Sequence, residues 1–278
     1  MSFLVLLLAV WVEKFSAGRQ RIQQDGGWLR QLARVEAAPS LQASPWLSLA
    51  LLVLVPVLLL GVLLLLLKSV AYGWLALPVH LLVLIYGLGR GDVLAALGPF
   101  RDAWRRDDTE AAYLVAARDL GVQADEPGEL LTRVQGYLLW QAYQSFFAVI
   151  FWYALLGPVA VLAYRLLALT TEQAQQVALR ERAQQLRHAF DWLPARVLAS
   201  SFALVGDFVS VSRALLHELL NWQISAAQLV DHAGRAAANT PASAPGDVGL
   251  HSLDSLWQML VRSALLWYAG FAVWTLLL

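Results

Sequence analysis

Apolar positions in this chain fall into long runs rather than the short alternations of a soluble domain. Residues 46–67 carry no charge and are interrupted only by Pro56 and Gly61. Residues 70–88 follow, with Pro78 and His80 inside them. Residues 146–169, FFAVIFWYALLGPVAVLAYRLLAL, hold one charge, Arg165, near their end. Residues 256–278 close the chain, rich in Trp and Leu, with Arg262 near their start. A helix rises about 1.5 Å per residue, so runs of roughly 20 residues match the ~30 Å hydrocarbon layer of a bilayer. As one helix, 46–88 would reach about 65 Å, twice that thickness, so Lys68-Ser69 reads as a tight turn between antiparallel spans. The opening MSFLVLLLAVWV would extend only about 18 Å; extension through Phe15 or local thinning completes a crossing, and an interfacial amphipathic start is the alternative. With no positive residue before it and no small-residue cleavage site after it, it does not read as a secretory signal.

The polar stretches define the rest of the organisation. Residues 16–45 are basic, with Arg19, Arg21, Arg30 and Arg34 against Asp25 and Glu36, and end in Pro39 and Pro45. Residues 89–145 read as soluble helices: Asp107, Asp108 and Thr109 cap AAYLVAARDL, Gly121 stops it, and a helix from about Glu129 runs into the 146–169 segment. Residues 170–233 begin with a polar helix. A marginal apolar stretch, Val197–Val205, then reads as re-entrant, crossing or simply packed. An amphipathic helix from Phe208 to Leu229 carries Val211, Leu215, Leu219 and Trp222 at helical spacing. Residues 234–255 have the composition of a flexible linker. The expected architecture is therefore all-α and polytopic. Residues 1–88 hold the short span, the basic connection and a membrane hairpin, and 89–145 a soluble helical region. Residues 146–169 are a central helix, with 170–233, 234–255 and the terminal span 256–278 after it. The excess of Arg places 13–45 and 89–145 in the cytoplasm. Arg180, Arg182 and Arg187 just beyond the central helix favour a further crossing or re-entry after it.

Composition narrows the chemistry. The chain is 59% hydrophobic, with 12 Trp and 20 acidic against 20 basic residues, as a polytopic membrane protein would be. It has no cysteine, which excludes disulfides, thiol catalysis and zinc-thiolate sites. Its lysines, Lys14 and Lys68, do not follow a glycine, so no phosphate loop is present. Gly87-Leu-Gly-Arg-Gly91 follows a membrane helix rather than a strand and reads as a helix exit with Arg90 as interfacial anchor. His217-Glu-Leu-Leu-Asn221 has Asn where a zincin needs its second histidine. His80 is the ionisable group deep in a span; a neutral histidine hydrogen-bonded between helices is preferred to a proton relay, because no span supplies a carboxylate partner. Arg101, Arg105 and Arg106 read as a solvated or headgroup-facing surface. No cofactor, metal or nucleic-acid partner is expected.

The residues 146–169 are more than an anchor requires. They carry Trp152, Tyr153, the Gly157-Pro158 pair, Tyr164 and Arg165. Gly-Pro removes a backbone donor and invites a kink, so this segment is expected to be a structural hub buried among other helices. About twenty residues later comes FDWLPARV, with Asp191, Pro194 and Arg196. The pair FWYALLGPVAVLAYRL and FDWLPARV resembles the AmpE family, within the wider group of adenosylcobinamide-phosphate synthases. Phe151, Trp152, Gly157, Tyr164 and Arg165 fit the group's first element, and Pro194, Ala195 and Arg196 its second. The sequence departs from the synthases before the hub: LWQAYQSFF stands where an acidic E-x-x-A-E-N stretch is expected, and no carboxylate lies between Glu129 and Glu172. Magnesium and phosphate chemistry needs such groups. The AmpE resemblance therefore implies an inner-membrane regulator of β-lactamase induction rather than an enzyme. Its partners would be the bilayer and a cell-wall-related ligand or partner protein, with homodimerisation left open. An amide-forming membrane enzyme of the synthase type is the alternative. In either case the candidate ligand-binding residues are Tyr153, Tyr164, Arg165, Asp191 and Arg196. Asp191 is expected to reach back to Arg165, as a ligand site or as an ion pair docking the 190s on the hub.

Overall fold

The structure is a computed structural model and describes residues 25–68, 74–88, 93–239 and 246–277. The expected span within 1–15, Ser69 of the hairpin turn and most of Gly87–Gly91 lie outside those residues. Every regular element among the described residues is helical.

The chain divides into two units: residues 1–90, 148–191 and 274–278 form one, and 91–147 with 192–273 the other. In the first, α1 (Gly26–Ala37) places Trp28, Leu32 and Val35 on one face, four and three residues apart. They pack with Leu49 and Leu52 of α3 (Pro45–Lys68), which follows a short α2 (Pro39–Gln42). Leu166, Leu167 and Leu169 of α8 (Pro158–Gln173), and Leu179 and Ala183 of α9 (Val177–Val205), complete this core. Residues Ala50–Leu54 of α3 form a π turn, with the Val55 N–H bonded to the Ala50 carbonyl five residues back. Pro56 explains the widening, since its ring clashes with the preceding turn of a regular helix. Most of α3 faces outward: Leu58, Leu59, Val62, Leu65 and Leu66 are exposed. An apolar face this long marks a surface that meets a membrane or another protein.

α4 (Ala76–Gly87) packs against α8 (Pro158–Gln173). A Cβ on Gly87 would lie 2.3 Å from Val161 Cγ1, so the approach depends on glycine. The hub expected as one kinked helix is two. α7 (Gly128–Leu156) ends at Leu156, Gly157 takes φ 76° and ψ −163°, and Pro158 opens α8. That conformation is essentially restricted to glycine, and Pro at the first helical position needs no N–H partner. Gly157→Ala is expected to lower stability by about 1–3 kcal/mol through backbone strain alone, because the added methyl meets nothing within 4 Å. Gly61 in α3 is equally uncrowded, so Gly61→Ala should instead be neutral or stabilising. Melting temperatures in detergent that fall equally for the two variants would contradict this.

In the second unit, α5 (Val93–Arg105) buries Leu97, Phe100, Ala103 and Trp104. α6 (Thr109–Val115) starts at Asp108, whose carboxylate accepts the Ala111 N–H, and continues as a π turn ended by Gly121 at φ 66°. α9 (Val177–Val205) begins in the first unit and ends in the second, passing through Pro194 without a break. This differs from the expected division into a polar helix and a separate 190s segment. α10 (Phe208–Leu215) packs on α11 (Ala226–Ala238), which Ser225 and Gln228 cap reciprocally and Asn239 ends at φ 52°. The amphipathic stretch 208–229 is thus interrupted by a turn. Residues 246–255, grouped above with a flexible linker, are the first turns of α12 (Gly246–Leu277). Leu250, Leu253 and Leu256 are buried there, an apolar spacing that linker-like composition concealed.

Candidate functional site

α8 carries Tyr164 and Arg165 in succession, about 100° apart on the helix, so they address different neighbours. The Tyr164 hydroxyl is buried and donates to Asp191 Oδ1 at 2.9 Å. Asp191 also lies 3.5 Å from Arg187 Nε, one turn earlier on α9. Arg187 donates from Nη1 to Thr171 Oγ1 at 2.9 Å and approaches Glu172 at 3.8 Å. Burial works against the Arg187 charge, but the neighbouring Tyr164, Asp191 and Glu172 outweigh it and raise its pKa above the ordinary arginine value.

Arg165 turns instead to Asp25, with Nη2 3.4 Å from Oδ2. Tyr86 of α4 donates to the other oxygen of Asp25 at 3.0 Å, and its ring centroid lies 6.0 Å from the Arg165 guanidinium. Asp25 occupies the N-cap position of α1 yet makes no cap hydrogen bond with its side chain. The expected Asp191–Arg165 pair is therefore replaced by two pairs, Asp191–Arg187 and Asp25–Arg165. The register of α8 makes the exchange: Tyr164 faces α9, while Arg165 faces the start of α1.

The remaining candidates are placed as follows. Tyr153 is buried, and its hydroxyl lies 3.1 Å from Nδ1 of His80, the interhelical hydrogen bond that the histidine's position suggested. Trp152 packs on Phe190 with ring centroids 5.0 Å apart. Gly157 and Pro158 form the break, and Pro194 lies within α9. Arg196 belongs to the second unit and is not part of this cluster. Its guanidinium donates to the carbonyls of Trp192, Leu219 and Asn221 at 2.8, 2.6 and 2.6 Å and stacks on Trp192 at 4.2 Å. Sequence reasoning missed Asp25, Tyr86 and Arg187 as members of the site. Arg187 was the most accessible of them, standing one helical turn before Asp191.

Chemically, Asp25 and Asp191 are each engaged by an arginine and a tyrosine. Among the described residues there is no group of three or more His, Cys, Asp or Glu placed to hold a metal ion. This arrangement suits a lock between helices whose release costs energy. A family model described as "Regulatory signalling modulator protein AmpE" matches residues 1–236, which include every residue of this cluster. The chain belongs to the AmpE family. AmpE proteins are regulatory proteins of the bacterial inner membrane. A curated relative, Protein AmpE of Shigella flexneri, is 26% identical over 152 residues, 50% of this chain and 54% of the relative. The chain thus spans about half the length of that AmpE protein. No solved structure gives a significant match.

Proposed function

We propose that this chain is a multi-pass inner-membrane regulator that modulates β-lactamase induction, and that the charge network on α8 is the latch by which its membrane helices hold one conformation. The observation that carries the latch is the burial of Asp25 and Asp191: Asp25 meets Arg165 and Tyr86 from two other helices, and Asp191 meets Tyr164 from α8 and Arg187 one turn away on its own helix. A ligand related to the cell wall, or a partner protein, regulates by changing which side chains meet those carboxylates. Crossings at 46–67, 70–88, 146–169 and 256–278, with the basic connections 13–45 and 89–145 in the cytoplasm, are part of the same reading. The exposed apolar face of α3 and the membrane-crossing length of Pro45–Lys68 and Gly128–Leu156 support it.

The test is β-lactamase activity after inducer in a host lacking its own AmpE protein, complemented with this chain. The parent chain is expected to change the induced level, Asp191→Asn to abolish that change, and Arg105→Ala, an exposed residue, to preserve it. An induced level that is the same with and without the parent chain would refute the function. The purified protein is also expected not to turn over ATP with Mg²⁺. ATP turnover lost on substitution of a hub residue would instead favour the synthase-type alternative.

A further inference from the structure

The second unit carries an apolar surface that neither the latch nor the expected spans use. It begins at Leu204 near the end of α9 and continues along Phe208 and Val209 of α10. It then includes Leu216, Leu220 and Trp222 of the following turn, with Leu216 73% and Leu220 83% exposed. The segment is not loosely held. Val211 and Leu215 are buried beneath it, the Asp207 N–H donates to the Ala237 carbonyl at 3.1 Å, and Arg196 fixes the turn through the Leu219 and Asn221 carbonyls. Trp192, on which Arg196 stacks, lies 5.9 Å from Trp222.

Its charges are arranged for one kind of neighbour. The Asp207 carboxylate turns into the helix start, accepting the Val209 and Ser210 N–H groups and the Ser210 hydroxyl. Glu218 is engaged by His232 Nδ1 at 3.1 Å. Arg213 remains exposed among the apolar side chains, with a stem long enough to carry its charge up to a phosphate. Trp222 has the amphipathic ring favoured where hydrocarbon meets headgroups. The ridge also continues an apolar helix of its own unit: Trp267 Nε1 of α12 donates to Ser201 Oγ at 3.2 Å, about one turn before Leu204. Leu265 and Val273 of α12 are themselves exposed. Aliphatic centre, aromatic rim, inward acids and an outward arginine describe an element lying at an anionic lipid surface.

We infer that residues 204–222 lie in the headgroup–acyl boundary of the bilayer, with Phe208, Leu216 and Leu220 inserted and Arg213 directed to lipid phosphates. The inference rests on the membrane placement of this chain and is independent of its role in β-lactamase induction. The absence of cysteine allows a direct test by single-cysteine labelling with an environment-sensitive fluorophore at Phe208, Leu216 or Leu220. Leu65 on α3 serves as the membrane control and Glu110 on α6 as the aqueous one. The full chain is reconstituted in phosphatidylethanolamine–phosphatidylglycerol vesicles, with helicity checked by circular dichroism. Labels on the ridge are expected to lose most of their emission to lipids bearing a nitroxide near the headgroup end of the acyl chain, and to resist a water-soluble quencher. Arg213→Glu should move the Leu216 label toward the aqueous behaviour. Access of the aqueous quencher equal to that at Glu110 overturns the inference, and so does shielding from both quenchers, which would mean a protein covers the ridge. If Leu65 also escapes the lipid quencher, the membrane reading fails and takes this inference with it.

Discussion

Asp191→Ala is expected to cost on the order of 3–5 kcal/mol, because it removes the buried carboxylate shared by Arg187 and Tyr164 and leaves Arg187 with the more distant and more exposed carboxylate of Glu172. The side chain of Asp191 is 4% exposed and that of Arg187 12%, so water can do little to compensate either. Asp191→Asn should cost less, since its amide oxygen still accepts the Tyr164 hydroxyl. Arg165→Ala is expected to fall lower in the series, on the order of 1–3 kcal/mol, because Asp25 keeps the Tyr86 hydroxyl. The Arg165 contact uses one nitrogen, so Arg165→Lys should retain part of it, in contrast to a forked bidentate pair. Thermal melting in detergent orders the variants. An Asp191→Ala protein that melts with the parent would mean that the latch contributes nothing.

Gly87→Ala is expected to be the most disruptive small change in the first unit. The new methyl would meet a Val161 methyl at 2.3 Å, and Val149 Cγ1 lies 3.4 Å from the same point. Val161 is fully buried, so α4 and α8 must separate or distort, at about 1–3 kcal/mol for the overpacked contact. Val161→Ala removes the opposing methyl. The double variant should therefore be more stable than Gly87→Ala alone, a coupling of the sign expected for residues in contact. Additive losses in the two melting temperatures would exclude the close packing described.

Much of the first unit could be read from residue order. The uncharged run of α3 and the Gly157-Pro158 interruption follow from hydrophobicity and backbone chemistry, and the AmpE resemblance placed Tyr164 and Asp191 in one candidate site. The partner of Arg165 could not be read this way. Asp25 lies 140 residues away in sequence, and only packing of α1 on α8 brings it near. The continuity of α9 was hidden for a different reason. An Asp followed three residues later by Pro looks like a helix start, and an interior Pro costs roughly 3 kcal/mol. Burial of Leu179 and Ala183 before it, and of Ala195, Leu198, Ala199 and Phe202 after it, overrides that local preference. Arg196, grouped above with the candidate ligand-binding residues, has its guanidinium occupied by carbonyl oxygens of its own unit, partners that side-chain chemistry in the sequence does not reveal.

The interruption at Gly157 also has an electrostatic side. A helix carries roughly half a positive charge at its N-terminus and half a negative charge at its C-terminus. Where α7 stops and α8 starts, the two ends of opposite sign adjoin, so each partly cancels the field of the other without a counter-ion. Pro158 contributes no N–H to α8, and Gly157 returns its own N–H to the Tyr153 carbonyl at 3.0 Å. The interruption is therefore made without a bare N–H at either Gly157 or Pro158, and in hydrocarbon each such group would cost several kcal/mol. In a bilayer, such a junction allows a long helix and a shorter one to tilt separately while the chain between them remains electrically quiet.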